Sequence, residues 1–233
     1  LLGIVTHSSL AARAFVDAGV DAARVLVAHN GYAPSLMQPP LTPAAARATL
    51  GIPIDGPLVV YTGHVGPEKG TASLVDLAAA LPQVRVGIVG VEAGTPEQVW
   101  LERLAAARGV RNLLLVPRVG VADVAPYLYA ADCLLIPPTG EPLTRYGRTV
   151  LPMKLFPYMA ARRPILAPAL PDIQELLTDD STAVLTPPGD VPAAARALRA
   201  LLDDAARAAR LAGAAADAAR DLTWHARATR ILA

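Results

Sequence analysis

Between Leu58 and Pro188, short apolar runs alternate with helix-like segments, and this alternation constrains the fold more than any other feature of the chain. The runs are LVVYTG (58–63), RVGIVG (85–90), LLLVP (113–117), CLLIPP (133–138), RPILAPA (163–169) and TAVLTPP (182–188). Most are followed by a segment of helical pattern: 71–81, 96–110 stopped by Gly109, a short one carrying Pro126, and 151–161 with Pro152 at its start. Strands that alternate with helices build a parallel sheet covered by helices on both faces. The fold class read from the sequence is therefore α/β, a doubly wound parallel sheet of Rossmann-like type.

Upstream, LLGIVTHSS reads as a strand running into a Ser-capped helix, SLAARAFVDAGV, and RVLVAHNG as a second short strand ending at the Asn30-Gly31 turn. The Pro-rich stretch from Ala33 to Pro43 reads as a linker, because prolines remove donors and stiffen the chain. Thr42 then caps a helix with Pro43 in its first turn. At the other end, the Ala-rich tail from Asp190 reads as two helices capped by Asp190 and Thr223, with Trp224 as a packing anchor. Pro157, inside the 151–161 helix, predicts a kink.

Composition narrows the function classes. Of 233 residues, 53% are hydrophobic, ample for a buried core, and the formal net charge of +1 argues against a nucleic-acid binder. The single cysteine, Cys133, sits in an apolar strand and reads as a buried hydrophobe; one thiol forms neither an internal disulfide nor a thiolate metal cluster. No apolar stretch approaches the roughly 20 residues of a membrane span. These features fit a cytoplasmic protein. The opening has no initiator Met and no basic segment, and reads as a strand cut from something longer, so a fragment is expected.

In a doubly wound sheet, ligands sit beyond the carboxyl ends of the strands, where helix N-termini point free N–H groups outward. The loops to read are therefore 63–70, 90–95, 117–121, 138–151 and 169–172. In the first, YTGHVGPEKG, Gly63 lets the chain turn out of the sheet, Gly70 permits close approach of a ligand, and Lys69 stands where its ammonium meets an anion at the helix start. The alternative is a solvated lysine on a surface turn. In the second, Arg145, Arg148 and Lys154 gather around the helix that Pro152 opens, a pattern suited to an anion or to a loop whose charges face water. Two such loops at one end of a sheet point to a diphosphate. His7 and His29, at strand ends, line a cleft or are simply packed. No Ser-His-Asp set, metal-ligand spacing or Walker-type loop is present.

Five segments, AHNGYAPSLMQP, LVVYTGHVGPEKGTASLVDLAAALPQVRVGIVG, YAADCLLIPP, LPMKLFPYMAARRPILAPALPDIQELL and LTPPGDVPAAARALRALLDD, resemble in order and spacing the donor half of the family 4 retaining glycosyltransferases of GT-B fold. The resemblance implies that residues 1–37 are the end of an acceptor domain with the interdomain linker, and 38–233 the domain that binds a nucleoside diphosphate sugar. It implies that Lys69 holds the donor diphosphate, with His64 in the place of an arginine beside it. Gly63 and Gly70 shape that turn, and Arg118 lies where backbone groups read the nucleobase. The N–H groups of the Pro152, Met153, Lys154 and Leu155 segment would cradle the phosphates, Pro152 itself having none to give. No metal or other cofactor is implied, since protein cations take that role. The partners implied are the sugar-nucleotide donor and an N-terminal acceptor domain, through which peripheral membrane contact is open.

The sequence departs from the family pattern at one important point. The family has two spaced glutamates around the second helix start, the later one bonding the ribose hydroxyls, and Pro157 occupies that later position. The earlier position is Thr149 when counted from the helix and Glu141 when counted from the strand; Glu141 is the preferred reading. Losing the ribose carboxylate is expected to cost about 1–3 kcal/mol of donor affinity. Two functions stay open: a retaining glycosyltransferase whose fragment alone is inactive, or a non-catalytic binding module on the same fold. An epimerase acting on the sugar nucleotide itself fits less well.

Overall fold

A computed structural model describes residues 3–141, 143 and 150–233. A small parallel pair comes first: β1 (Ile4–Thr6) lies beside β2 (Val25–Val27), joined by helix α1 (Ser9–Asp17). Ser8 starts α1 by accepting the Ala11 N–H at 3.1 Å, as the sequence predicts. The proline-rich stretch that follows is not a free tether. Met37 is buried, and its carbonyl accepts the Tyr129 hydroxyl at 2.6 Å.

Helix α2 (Pro43–Leu50) opens with Thr42 accepting the Ala45 N–H and closes at Gly51, whose φ of +65° is left-handed. Then come β3 (Leu58–Thr62), α3 (Thr71–Ala80), β4 (Arg85–Val91), α4 (Pro96–Ala107), β5 (Leu113–Pro117), α5 (Ala125–Ala130) and β6 (Cys133–Leu135). The chain continues through α6 (Leu155–Ala160), β7 (Ile165–Pro168), α7 (Pro171–Gln174) and β8 (Val184–Thr186).

Among the described residues, these six strands form one parallel sheet of order β5-β4-β3-β6-β7-β8. The fold is thus a doubly wound α/β sheet. β3 is buried at every residue, and its side chains alternate between two cores. Leu58 and Val60 join one apolar cluster with Phe156 and Leu134, whereas Val59 and Tyr61 join the other with Leu74 and Leu198. The period of two in a pleated strand sends neighbours to opposite faces, and helices cover both. Cys133 is fully buried, and that burial pushes its thiol well above the ordinary range.

The winding leaves β3 toward β5 on one side, then returns to lay β6 against the other flank of β3. The winding order reverses at β3, so the loops leaving the parallel neighbours β3 and β6 turn to opposite faces of the sheet and open a crevice between them. The loops after these two strands are the ones that carry Lys69 and Lys154.

Three expectations are corrected. The tail holds three helices rather than two: α8 (Val191–Asp203), α9 (Ala205–Ala218) and α10 (Trp224–Leu232). Asp204 interrupts the Ala-rich run by capping the Arg207 N–H at 2.9 Å, a restart hidden by the high helix propensity on both sides. Trp224 is 43% exposed and anchors no core. The 151–161 helix begins only at Leu155, so Pro157 is its third residue. A first-turn residue has no intrahelical N–H bond to lose, and the predicted kink has no cause. Among the described residues, no helix is long and apolar enough to cross a membrane.

Candidate functional site

The first wall of the crevice is the turn after β3. Gly63 takes φ +140° and donates its N–H to Val89 O at 2.9 Å, so the chain leaves the sheet while still tied to β4. The next strand end must be glycine too: a Cβ on Gly90 would lie 2.4 Å from the Gly63 carbonyl oxygen. Tyr61 donates its hydroxyl to the His64 carbonyl at 2.7 Å; the His64 residue itself is exposed. Lys69 ends a short 3-10 turn (Pro67–Lys69) and is exposed. Gly70, at φ +69°, starts α3. A Cβ there would approach the Thr139 methyl to 2.2 Å, so this glycine is where the first loop seats against the second.

The second wall follows β6. Arg145, Arg148 and Thr149 lie outside the described residues. Glu141 is exposed, with its N–H on the Thr139 hydroxyl at 3.1 Å, and it does not line the crevice. Leu151 is buried, while Pro152, Met153 and Lys154 line the crevice. Of the expected phosphate cradle, Leu155 drops out. Its N–H is taken by Pro152 O at 3.0 Å and its side chain is in the core, because the residues before the helix already turn back on themselves. The Met153 and Lys154 amides have no partner among the described residues.

Together these walls enclose a cleft of about 640 Å³, which Gly63, Lys69, Gly90, Arg118, Pro152 and Lys154 help to line. One end is apolar, with Val89, Val119 and Val124. Arg118 pairs loosely with Glu92 at 3.5 Å, both side chains exposed. Its N–H goes to Val91 O at 3.1 Å, which leaves its carbonyl as the backbone group for reading a ligand. Lys154 reaches under the first loop, its Nζ 4.0 Å from the centre of the Tyr61 ring. Burial, and secondarily the charge of Lys69, pulls its ammonium down to about 7.

Sequence reasoning missed several contributors. Tyr158 accepts the Thr62 N–H at 2.7 Å and fixes the end of β3. Asp172, 2% exposed, lines the cleft from α7. The glycine ending RVGIVG was the available signal for Gly90. Nothing in the sequence links Tyr158 to a strand almost a hundred positions away. His7 does not line the cleft. His29 instead meets Glu175 at 2.6 Å, and Glu175 also accepts the Ser9 N–H at 2.7 Å and the Ser9 hydroxyl at 2.8 Å. No group of three or more His, Cys, Asp or Glu side chains suited to a metal occurs among the described residues.

Residues 56–204 match the family model described as "Glycosyl transferases group 1". The chain belongs to this glycosyl transferase family. It is 33% identical over 222 residues to D-inositol 3-phosphate glycosyltransferase of Xylanimonas cellulosilytica, covering 92% of this chain and 51% of that protein. Among solved structures, sucrose-phosphate synthase from Thermosynechococcus elongatus superposes with a TM-score of 0.82 at 25% identity, over 97% of this chain and 56% of that one. Anabaena HepE in complex with UDP-glucose also superposes at 0.82, with 20% identity, over 99% and 62%. This group 1 glycosyl transferase chain therefore spans about half the length of the relatives it matches, and its parallel sheet is the GT-B type expected from the resemblance.

Proposed function

We propose that this chain is the donor-binding half of a retaining glycosyltransferase, holding a nucleoside diphosphate sugar in the cleft between the β3 and β6 loops. The observation that carries the reading is the pairing of Lys69 and Lys154 across one cleft, with no carboxylate on either among the described residues. Two ammonium groups facing each other repel, and the arrangement becomes favourable when an anion sits between them. A diphosphate fits that requirement. The apolar end suits a planar base, and HepE was solved with UDP-glucose in a chain of the same fold.

As the sugar leaves, charge builds on the diphosphate. Lys69, Lys154 and the Met153 and Lys154 amides are placed to stabilise it electrostatically, without a metal. The acceptor, and contacts that close over the sugar, would come from a second domain, residues 1–37 being the part of it and of its linker present here. The isolated chain would bind donor and transfer nothing. Isothermal titration with UDP-glucose, GDP-mannose and ADP-glucose tests this: one should bind, and Lys69→Ala should weaken it by about 10- to 100-fold, the worth of a charge-assisted bond. Absence of binding by all three, or an unchanged affinity in Lys69→Ala, would count against it.

One observation favours the second reading, a non-catalytic binding module. Neither Pro157, where the ribose glutamate is expected, nor Glu141 lines the cleft. Donor hydrolysis by the full-length protein separates the two: a binding module holds the sugar nucleotide intact.

A further inference from the structure

Lys154 is the less ordinary of the two cleft cations. Its Nζ packs over the Tyr61 ring and beside Gly63, where a Cβ would come within 2.8 Å of it. The amine is thus held against an aromatic face and a bare stretch of backbone, with Lys69 as the neighbouring charge. An ammonium is strongly hydrated in water and loses that hydration at a cost unless a partner replaces it. An aromatic face replaces only part.

Among the described residues, the other titratable or charged groups around this amine are Tyr61 and Tyr158 from the core side, His64, Glu68 and Lys69 from the first loop, and Arg118 and Asp172 from the far walls. Tyr61 and Tyr158 are driven well above the ordinary range, chiefly by burial, and stay neutral. Among the described residues, no carboxylate forms an ion pair with Lys154.

Resting on the donor-binding reading above, we propose that Lys154 is the second cation of the diphosphate subsite and takes up a proton from solvent as the anion enters, so that donor binding is coupled to protonation of this amine. In the free protein the cleft floor holds the amine partly neutral near pH 7. A diphosphate supplies the missing counter-charge and makes the ammonium the favoured form. The proton is drawn from the buffer, and no covalent bond forms or breaks.

Sugar nucleotides suit the test because both phosphates are esterified, so a proton taken up near pH 8 belongs to the protein. The full-length protein is titrated calorimetrically with UDP-glucose, GDP-mannose and ADP-glucose in Tris and in HEPES, whose ionisation heats differ. The expected result is uptake of between about half and one proton, with affinity falling by up to about tenfold per pH unit above neutrality. Lys154→Arg, permanently charged, should bind with little pH dependence and no uptake, and Lys154→Met should bind at least about tenfold more weakly at pH 7 with no uptake. Uptake that persists in Lys154→Arg assigns the proton elsewhere and overturns the proposal, as does tight wild-type binding that is flat in pH. Failure of all three sugar nucleotides to bind removes the donor-binding reading together with it; binding without proton linkage removes the proposal alone.

Discussion

At the scale of single residues, the cleft is shaped as much by missing side chains as by those present. Gly90 and Gly63 meet backbone to backbone, and a methyl on Gly90 has no flexible neighbour to push aside. Gly90→Ala should therefore destabilise the fold by about 1–3 kcal/mol, measured by urea denaturation, and weaken donor binding by displacing the Gly63 turn. Lys154 acts in the opposite sense. Its pKa is lower folded, about 7, than unfolded, about 10.4, so folding disfavours its protonated form. The penalty is complete below pH 7 and fades toward pH 10, and the stability of the unliganded protein should rise over that window. In Lys154→Met the rise should be absent and the neutral-pH midpoint higher, a stability gained at the expense of donor affinity.

At the scale of elements, the helix after the second loop shows how one residue shift changes a conclusion. Read from Pro152, the helix would carry Pro157 in its interior, where a proline costs roughly 3 kcal/mol or more. With α6 starting at Leu155, position 157 falls in the first turn, where proline costs little. Pro157→Ala should accordingly change the urea midpoint by less than about 1 kcal/mol equivalent; a gain of several kcal/mol would restore the kinked-helix picture. Strands, caps and most helices were legible because their signals are local: Thr42, Asp190 and Thr223 each cap the helix that the sequence assigns to them. The Asp204 restart was not, since alanine-rich sequence is equally helical whether continuous or broken.

At the scale of the whole molecule, hydrogen bonds on more than one side tie the opening segment to the rest. The carbonyl of Tyr32 accepts the Trp224 N–H at 3.2 Å, and Arg227 donates to the Ala28 carbonyl, so α10 folds back onto the segment after β2. On the other side, Glu175 binds Ser9 and His29. Burial raises the Glu175 carboxyl, but hydrogen bonds from the Ser9 N–H, His29 and the Ser9 hydroxyl outweigh it and hold the group below the usual glutamate range. A carboxyl depressed on folding contributes stability above its unfolded pKa, and that contribution is lost as pH falls through the folded value. Glu175→Gln should cost about 1–3 kcal/mol at pH 7. The difference from wild type should shrink below about pH 4, as urea denaturation across pH would show.

The sequence by itself determined the strand-helix alternation, the helix caps and the two loops worth inspecting, because these depend on neighbours within a few residues. Only the tertiary structure decided which loops share a cleft, for strand order is set by which apolar faces find each other, not by their order in the chain. It also decided the standing of individual residues. Lys154 became a half-buried cation over Tyr61, Leu155 a core residue, and Glu175 a clasp to the opening segment. Burial and like-charge proximity are properties of positions in space that no local pattern carries.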